Sequence, residues 1–212
     1  MLLKGFKEFI NESESSVTYQ DLKLLLELGI SQDITSDVNR LIDQGKMTHD
    51  EIEDWVTPIC DKYGIQDWSI SDEGLVDVDG SVNLEDLELT RLPLRFGTVT
   101  ESFWCSANQL TTLDGAPQWV GRSFWCNDNQ LTSLEGSPKE VGGGFYCNNN
   151  QLTTLKGSPK EVSGSFWSNG NRLTTLKGAP EKVGDSFYCH NNQLTSLDGI
   201  GEVEGTIYSD LK

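Results

Sequence analysis

The side chains best suited to metal binding or nucleophilic attack are few here: five cysteines and two histidines. Cys105, Cys126, Cys147 and Cys189 recur in one register, with Ser168 filling the gap, and Cys60 stands apart. Zinc sites draw on clustered ligands, typically Cys-x2-4-Cys pairs from converging loops, and no such pair exists. Disulfides fit poorly, because the number is odd and the N-terminus shows no secretory pattern. The expected role is that of small buried hydrophobes. Cys60 as a nucleophile would need an activating neighbour, and the sequence offers none. His49 falls in a helix-cap motif, where it is expected to face solvent. His190 follows Cys189, but adjacent residues of a strand point to opposite faces, so the two do not form a catalytic pair. No phosphate-binding loop, H-E-x-x-H or G-x-S-x-G occurs. Gly142-Gly143-Gly144 precedes a strand rather than a helix. Asp72, Asp77 and Asp79 lack the glycine and terminal glutamate of a calcium loop; Asp77 and Asp79 read as the exposed face of an edge strand. The expectation is a non-enzyme with no cofactor and no metal. An enzyme assembled across an interface is the rival from another class.

The elements that position these residues are set by a 21-residue repeat. From Ser102 the copies read SFWCSANQLTTLDGAPQWVGR, SFWCNDNQLTSLEGSPKEVGG, GFYCNNNQLTTLKGSPKEVSG, SFWSNGNRLTTLKGAPEKVGD and SFYCHNNQLTSLDGIGEVEG. A divergent copy starts at Ser81, and a partial one, TIYSDLK, follows the last. Such a period signifies a solenoid, each coil burying its apolar side only against its neighbours. Phe103 and Cys105 alternate with Trp104 and Ser106, the period of a strand. Phe, Cys, Leu110, Leu113 and Val120 form the inward set, and Gly115 and Pro117 mark turns. Asn108, Asn129, Asn150, Asn171 and Asn192 sit where the chain leaves the strand. Their amides are expected to bond backbone groups of adjacent coils that the bend would leave unpaired.

The outward positions carry Trp104, Trp125, Tyr146, Trp167, Tyr188 and Tyr208, flanked by Ser106, Asn127, Asn148, Asn169 and His190. Large exposed apolar patches mark interaction sites, and Trp and Tyr dominate binding hot spots. Three readings fit this stripe: a partner-binding face, cross-strand stacking that only stabilises the sheet, or a surface covered by an N-terminal segment. A sugar platform lacks an accompanying carboxylate pattern.

The segment FWCSANQLTTL resembles the LxLxxNxLxxL core of leucine-rich repeats, and the short unit is most similar to those of bacterial effectors and large phages. The resemblance implies an α+β fold: a leucine-rich-repeat-like β-solenoid of about six coils with a parallel sheet, preceded by a small helical domain. Phe and Cys replace the strand leucines, and Val120 lies one residue too far from Phe124 for the standard spacing. Effectors of this type often carry a ubiquitin-ligase domain after the repeats, which is not transferred to this chain.

Residues 1–80 carry 18 acidic and 6 basic side chains, against 15 and 10 in residues 81–212, of a net −17 overall. That balance argues against direct binding of nucleic acid or anionic membrane. It permits a basic partner or mimicry of DNA, although solubility alone accounts for it. Within 17–64 three short helices are expected. Thr18–Asp21 caps the first, with Leu22, Leu25 and Leu26 as its stripe and Gly29 as its stop. Ser36 caps the second, which Gly45 ends. Thr48–Glu51 caps the third, with Ile52, Trp55, Val56, Ile59 and Cys60 inward, Pro58 bending it and Gly64 ending it. Residues 65–101 read as a β cap plus the first divergent coil, and 102–212 as the solenoid, whose C-terminal coil is weakly capped and suggests self-association. Residues 1–16 are amphipathic and too short and charged to span a membrane. MLLKGFKEFINE resembles the capsid-targeting sequence of internal head proteins in T-even-like phages, which implies processing after Glu12. Simple docking of Leu3, Phe6 and Ile10 on the fold is the alternative.

Together these readings point to a non-catalytic protein–protein interaction protein. The resemblances imply a phage-encoded protein that binds and inhibits a bacterial host defence protein, located in the host cytoplasm or packaged in the virion head. An internal virion protein and an acidic DNA mimic remain the alternatives.

Overall fold

A computed structural model describes residues 17–27 and 35–211. The fold is α+β: among the described residues, three helices are followed by a parallel β-solenoid of about six coils. The chain divides into two compact units. One holds the described residues up to Pro58 together with Asp72–Gly74, and the other holds 59–71 and 75–211.

In the first unit, α1 (Tyr19–Glu27) and α3 (His49–Tyr63, which runs on into the second unit) begin as their sequences dictate. The Thr18 amide donates to Asp21 and the Asp21 amide returns a bond to the Thr18 hydroxyl. Thr48 and Glu51 make the same reciprocal pair at 3.0 and 3.2 Å, so each box satisfies two amides that a helix start leaves without partners. α2 (Thr35–Asp43) begins one residue before the expected cap, so Ser36 lies inside its first turn. Gly45 and Gly64 both adopt the left-handed conformation that ends a helix. Val17, Tyr19, Leu22, Val38 and Leu41 form the core of this unit, with Ile42, Met47 and Trp55 packed on it. Ile52 and Val56 are buried as expected. The side chains of Leu25 and Leu26, and Gly29, fall outside the described residues.

The second unit opens with an antiparallel hairpin, β1 (Trp68–Ile70) and β2 (Val76–Val78). The chain then alternates between two parallel sheets. Odd-numbered strands β3 (Val82–Asn83), β5 (Phe103–Trp104), β7 (Phe124–Trp125), β9 (Phe145–Tyr146), β11 (Phe166–Trp167), β13 (Phe187–Tyr188) and β15 (Ile207–Tyr208) form a 7-stranded sheet. Even-numbered strands β4 (Phe96–Val99), β6 (Trp119–Val120), β8 (Glu140–Val141), β10 (Glu161–Val162), β12 (Lys182–Val183) and β14 (Glu202–Val203) follow β1 and β2 in an 8-stranded sheet. The second sheet was not foreseen. Two-residue strands are too short to show alternation, and Val120 was legible only as an inward residue. β2 lies between β1 and β4, so it is not an edge strand. Asp77 is half-buried there, its Oδ1 accepting the Thr98 amide at 2.6 Å.

The core lies inside the coils. Phe103, Phe124, Phe145, Phe166 and Phe187 are fully buried, as are Leu110, Leu113 and their equivalents through Leu176. The phenylalanine rings stack on one another at 5.1–5.6 Å. All five cysteines are free and buried. Burial pushes the Cys126 thiol well above its ordinary range and Cys189 up to about 11, so neither is a thiolate at neutral pH.

Candidate functional site: the aromatic face

Each outward ring is the second residue of its strand, and from Trp104 to Tyr188 its neighbours in sequence, a Phe and a Cys or Ser, are locked inside. In-register parallel pairing therefore brings Trp104, Trp125, Tyr146, Trp167, Tyr188 and Tyr208 into one row. The register is held from below by the asparagines. Asn150 Nδ2 donates to the carbonyls of Cys126, Cys147 and Asn148, while its Oδ1 accepts the Leu131 amide at 3.0 Å. Asn108, Asn129, Asn171 and Asn192 repeat this arrangement, as their position at the bend implies.

The rings are not free-standing platforms. Trp125 and Tyr146 stack at 3.6 Å with 5° between planes, and Trp167 and Tyr188 at 3.9 Å. Tyr208 closes the row on Tyr188 at 4.5 Å. Rings from Trp104 to Tyr188 are half-buried, and Tyr208 is 45% exposed. From Trp125 to Tyr208 stacking consumes ring faces and leaves edges outward, which there favours protein contacts over a sugar that stacks on a face. From Trp125 to Tyr208 the one interruption is between Tyr146 and Trp167, whose centroids are 5.9 Å apart and whose planes are tilted by 36°.

Beside the rings, Asn127, Asn148, Asn169 and His190 are half-buried, with His190 set edge-on to Tyr188. Ser106, expected to lie open in this row, is 1% exposed, because its hydroxyl is held by Glu85 at 2.6 Å. Asn127 Nδ2 is held by Asp128 at 2.6 Å, which fixes the amide's orientation. The Oδ1 atoms of Asn127 and Asn169 are buried without a hydrogen-bond partner. That unmet acceptor capacity has no signal in the sequence.

Other places suited to chemistry offer little. Among the described residues, no group of three or more His, Cys, Asp or Glu side chains is placed to hold a metal. A cleft of about 440 Å³ between Ser137–Glu140 and Gly157–Glu161 opens on the turns leading into the other sheet, bordered by both lysines and glutamates. Trp119, on that other sheet, is 39% exposed and went unnoticed in sequence because only one coil carries a tryptophan there. No described helix is long and apolar enough to cross a membrane. Glu12 lies outside the described residues. The chain matches no protein-family model and no curated protein.

Proposed function

We propose that this chain is a non-catalytic binding protein that engages a protein partner through the aromatic face of the 7-stranded sheet. The observation that carries the reading is the row of six aromatic side chains in strand register, half-exposed although every phenylalanine beside them is buried. A row kept only for sheet stability would not need to leave ring edges in water, and Trp and Tyr edges supply both apolar area and polar donors to a partner. The resemblance to short bacterial and phage repeats favours a bacterial host protein as the partner, and a defence component that is inhibited as the consequence.

The test is affinity purification from bacterial lysate with the wild-type protein and a Trp125→Ala/Trp167→Ala double variant. The reading predicts a partner recovered by the wild type, lost with the double variant, and retained at high salt, since apolar burial is not screened. Recovery unchanged by the double variant would remove the face from the function. Capture that collapses with salt and ignores the double variant would support the acidic mimic instead.

A further inference from the structure

Between Trp125 and Tyr208 the stacked row is broken at one point, and the break has a local cause. The residue two before each outward ring is Ser102, Ser123, Ser165, Ser186 or Thr206, but in the coil of Tyr146 it is Gly144. A Cβ on Gly144 would come within 2.7 Å of the Tyr146 ring and hydroxyl, so the ring lies over the space that a side chain would take. Tyr146 packs flat on Trp125 and turns away from Trp167, leaving a wedge with part of the Trp167 face open.

Asp185 stands beside this wedge. Its Oδ2 accepts a bond from the hydroxyl of Ser165, two residues before Trp167, at 2.8 Å, and its Oδ1 one from Ser186 at 3.3 Å. The residue is exposed, so the carboxylate keeps further acceptor capacity. Its charge is felt at Tyr146, whose phenol is raised by burial first and by Asp185 second. On the other side of Trp167, in the same strand register, is Asn169 with its unpaired Oδ1.

Charge on this face is one-sided. The rows flanking the rings carry Glu85, Asp86, Glu101, Asp128, Asp185 and Asp210, and their one described cation, Arg122, is paired with Glu101 at 3.0 Å. The lysines from Lys139 to Lys182 lie on the turns and the other sheet. The face therefore offers hydrogen-bond acceptors and ring surface, with acidic groups outnumbering Arg122; the exposed Arg172 follows on the bend after Asn171.

We infer that the Tyr146–Trp167 wedge, with the Asp185 carboxylate beside it, receives an arginine side chain from a basic, extended peptide segment of the partner. This rests on the aromatic face being the contact surface. A guanidinium is planar and weakly hydrated, stacks on an indole, and presents a donor fork that suits a carboxylate. A lysine ammonium would reach Asp185 but gain little from the open Trp167 face.

The experiment is a titration of the full chain with dye-labelled, end-blocked Thr-Arg-Thr-Arg-Thr, read by fluorescence anisotropy, beside versions in which lysine or citrulline replaces arginine. Citrulline keeps the shape and removes the charge. The arginine peptide should bind most tightly, and citrulline should weaken it by roughly tenfold. Asp185→Asn and Gly144→Ser should each cost a similar factor. Gly144→Ser restores the residue of the other coils and displaces the Tyr146 ring, and circular dichroism verifies that the fold is kept. Asp198→Asn, on a turn of the last coil, should change affinity less than twofold. Equal binding of the citrulline peptide, equal losses at Asp185 and Asp198, or no binding of the arginine peptide would each overturn the inference. If the wedge variants are silent while the Trp125/Trp167 double variant still loses its partner, the binding face stands and the arginine assignment alone falls.

Discussion

At the scale of single residues, the asparagine row does more for the solenoid than its polarity suggests. Asn150 makes four bonds to backbone groups of two coils from a site only 8% exposed. Asn150→Ala strands the Leu131 amide and strips a donor from three carbonyls, at about 1–3 kcal/mol for each buried group left unmet. We expect a loss of about 3 kcal/mol or more in urea unfolding, against almost none for Gln130→Ala, whose side chain is exposed. The cysteine row makes a second prediction. Burial raises these thiols in the folded state, whereas unfolded thiols ionise near pH 8.5. The stability from keeping them neutral is complete below that pH and is lost as pH rises toward the folded values, by about 1.4 kcal/mol per pH unit for each fully ionised unfolded thiol. Melting temperature should fall steeply above pH 9. Cys126→Ala should flatten that slope by one proton's worth, and an unchanged slope would show that the thiols do not govern it.

At the scale of the element, a coil is closed by a glycine. Gly157 has φ +92°, and a Cβ there would press on the backbone of Leu134 and Glu135 in the preceding coil. Backbone cannot retreat as a side chain can, so Gly157→Ala combines steric contact with a conformation unfavourable for alanine. A cost of about 1–3 kcal/mol is expected in denaturant unfolding, and a neutral result would mean that the turn can re-form. This turn was legible in the sequence, as were the inward phenylalanines, the asparagine bonds and both Thr-led capping boxes, because each is a local rule repeated in register. The second sheet was not legible, since Glu-Val pairs carry no period. Neither was the closing of Ser106 under Glu85, nor the tilt at Tyr146. The first depends on what the adjacent coil places 21 residues away, and the second on how Tyr146 lies over the space that Gly144 leaves in its own coil. The strand register of the outward rings follows the repeat, but from Trp125 to Tyr208 the rings stack on one another, so the exposed chemistry there is that of edges and one wedge.

At the scale of the whole solenoid, stability is close to a sum over neighbouring coils, so a coil's protection depends on what is stacked on each side. Leu173, Leu176 and Val183 are 0–1% exposed, whereas their successors Leu194, Leu197 and Val203 remain half-buried, and Ile207, in the register of the buried phenylalanines, is 39% exposed. Amide exchange should therefore be graded, slowest in the coils of Phe124 and Phe145 and fastest from Ser186 onward. Self-association through the last coil, expected from its weak capping, makes a separable demand on the same measurement. A second copy stacked there would slow exchange at residues 186–211 as protein concentration rises, with the inner coils unchanged. Exchange at the last coil that is fast and independent of concentration, after correction for intrinsic rates, would leave this end monomeric.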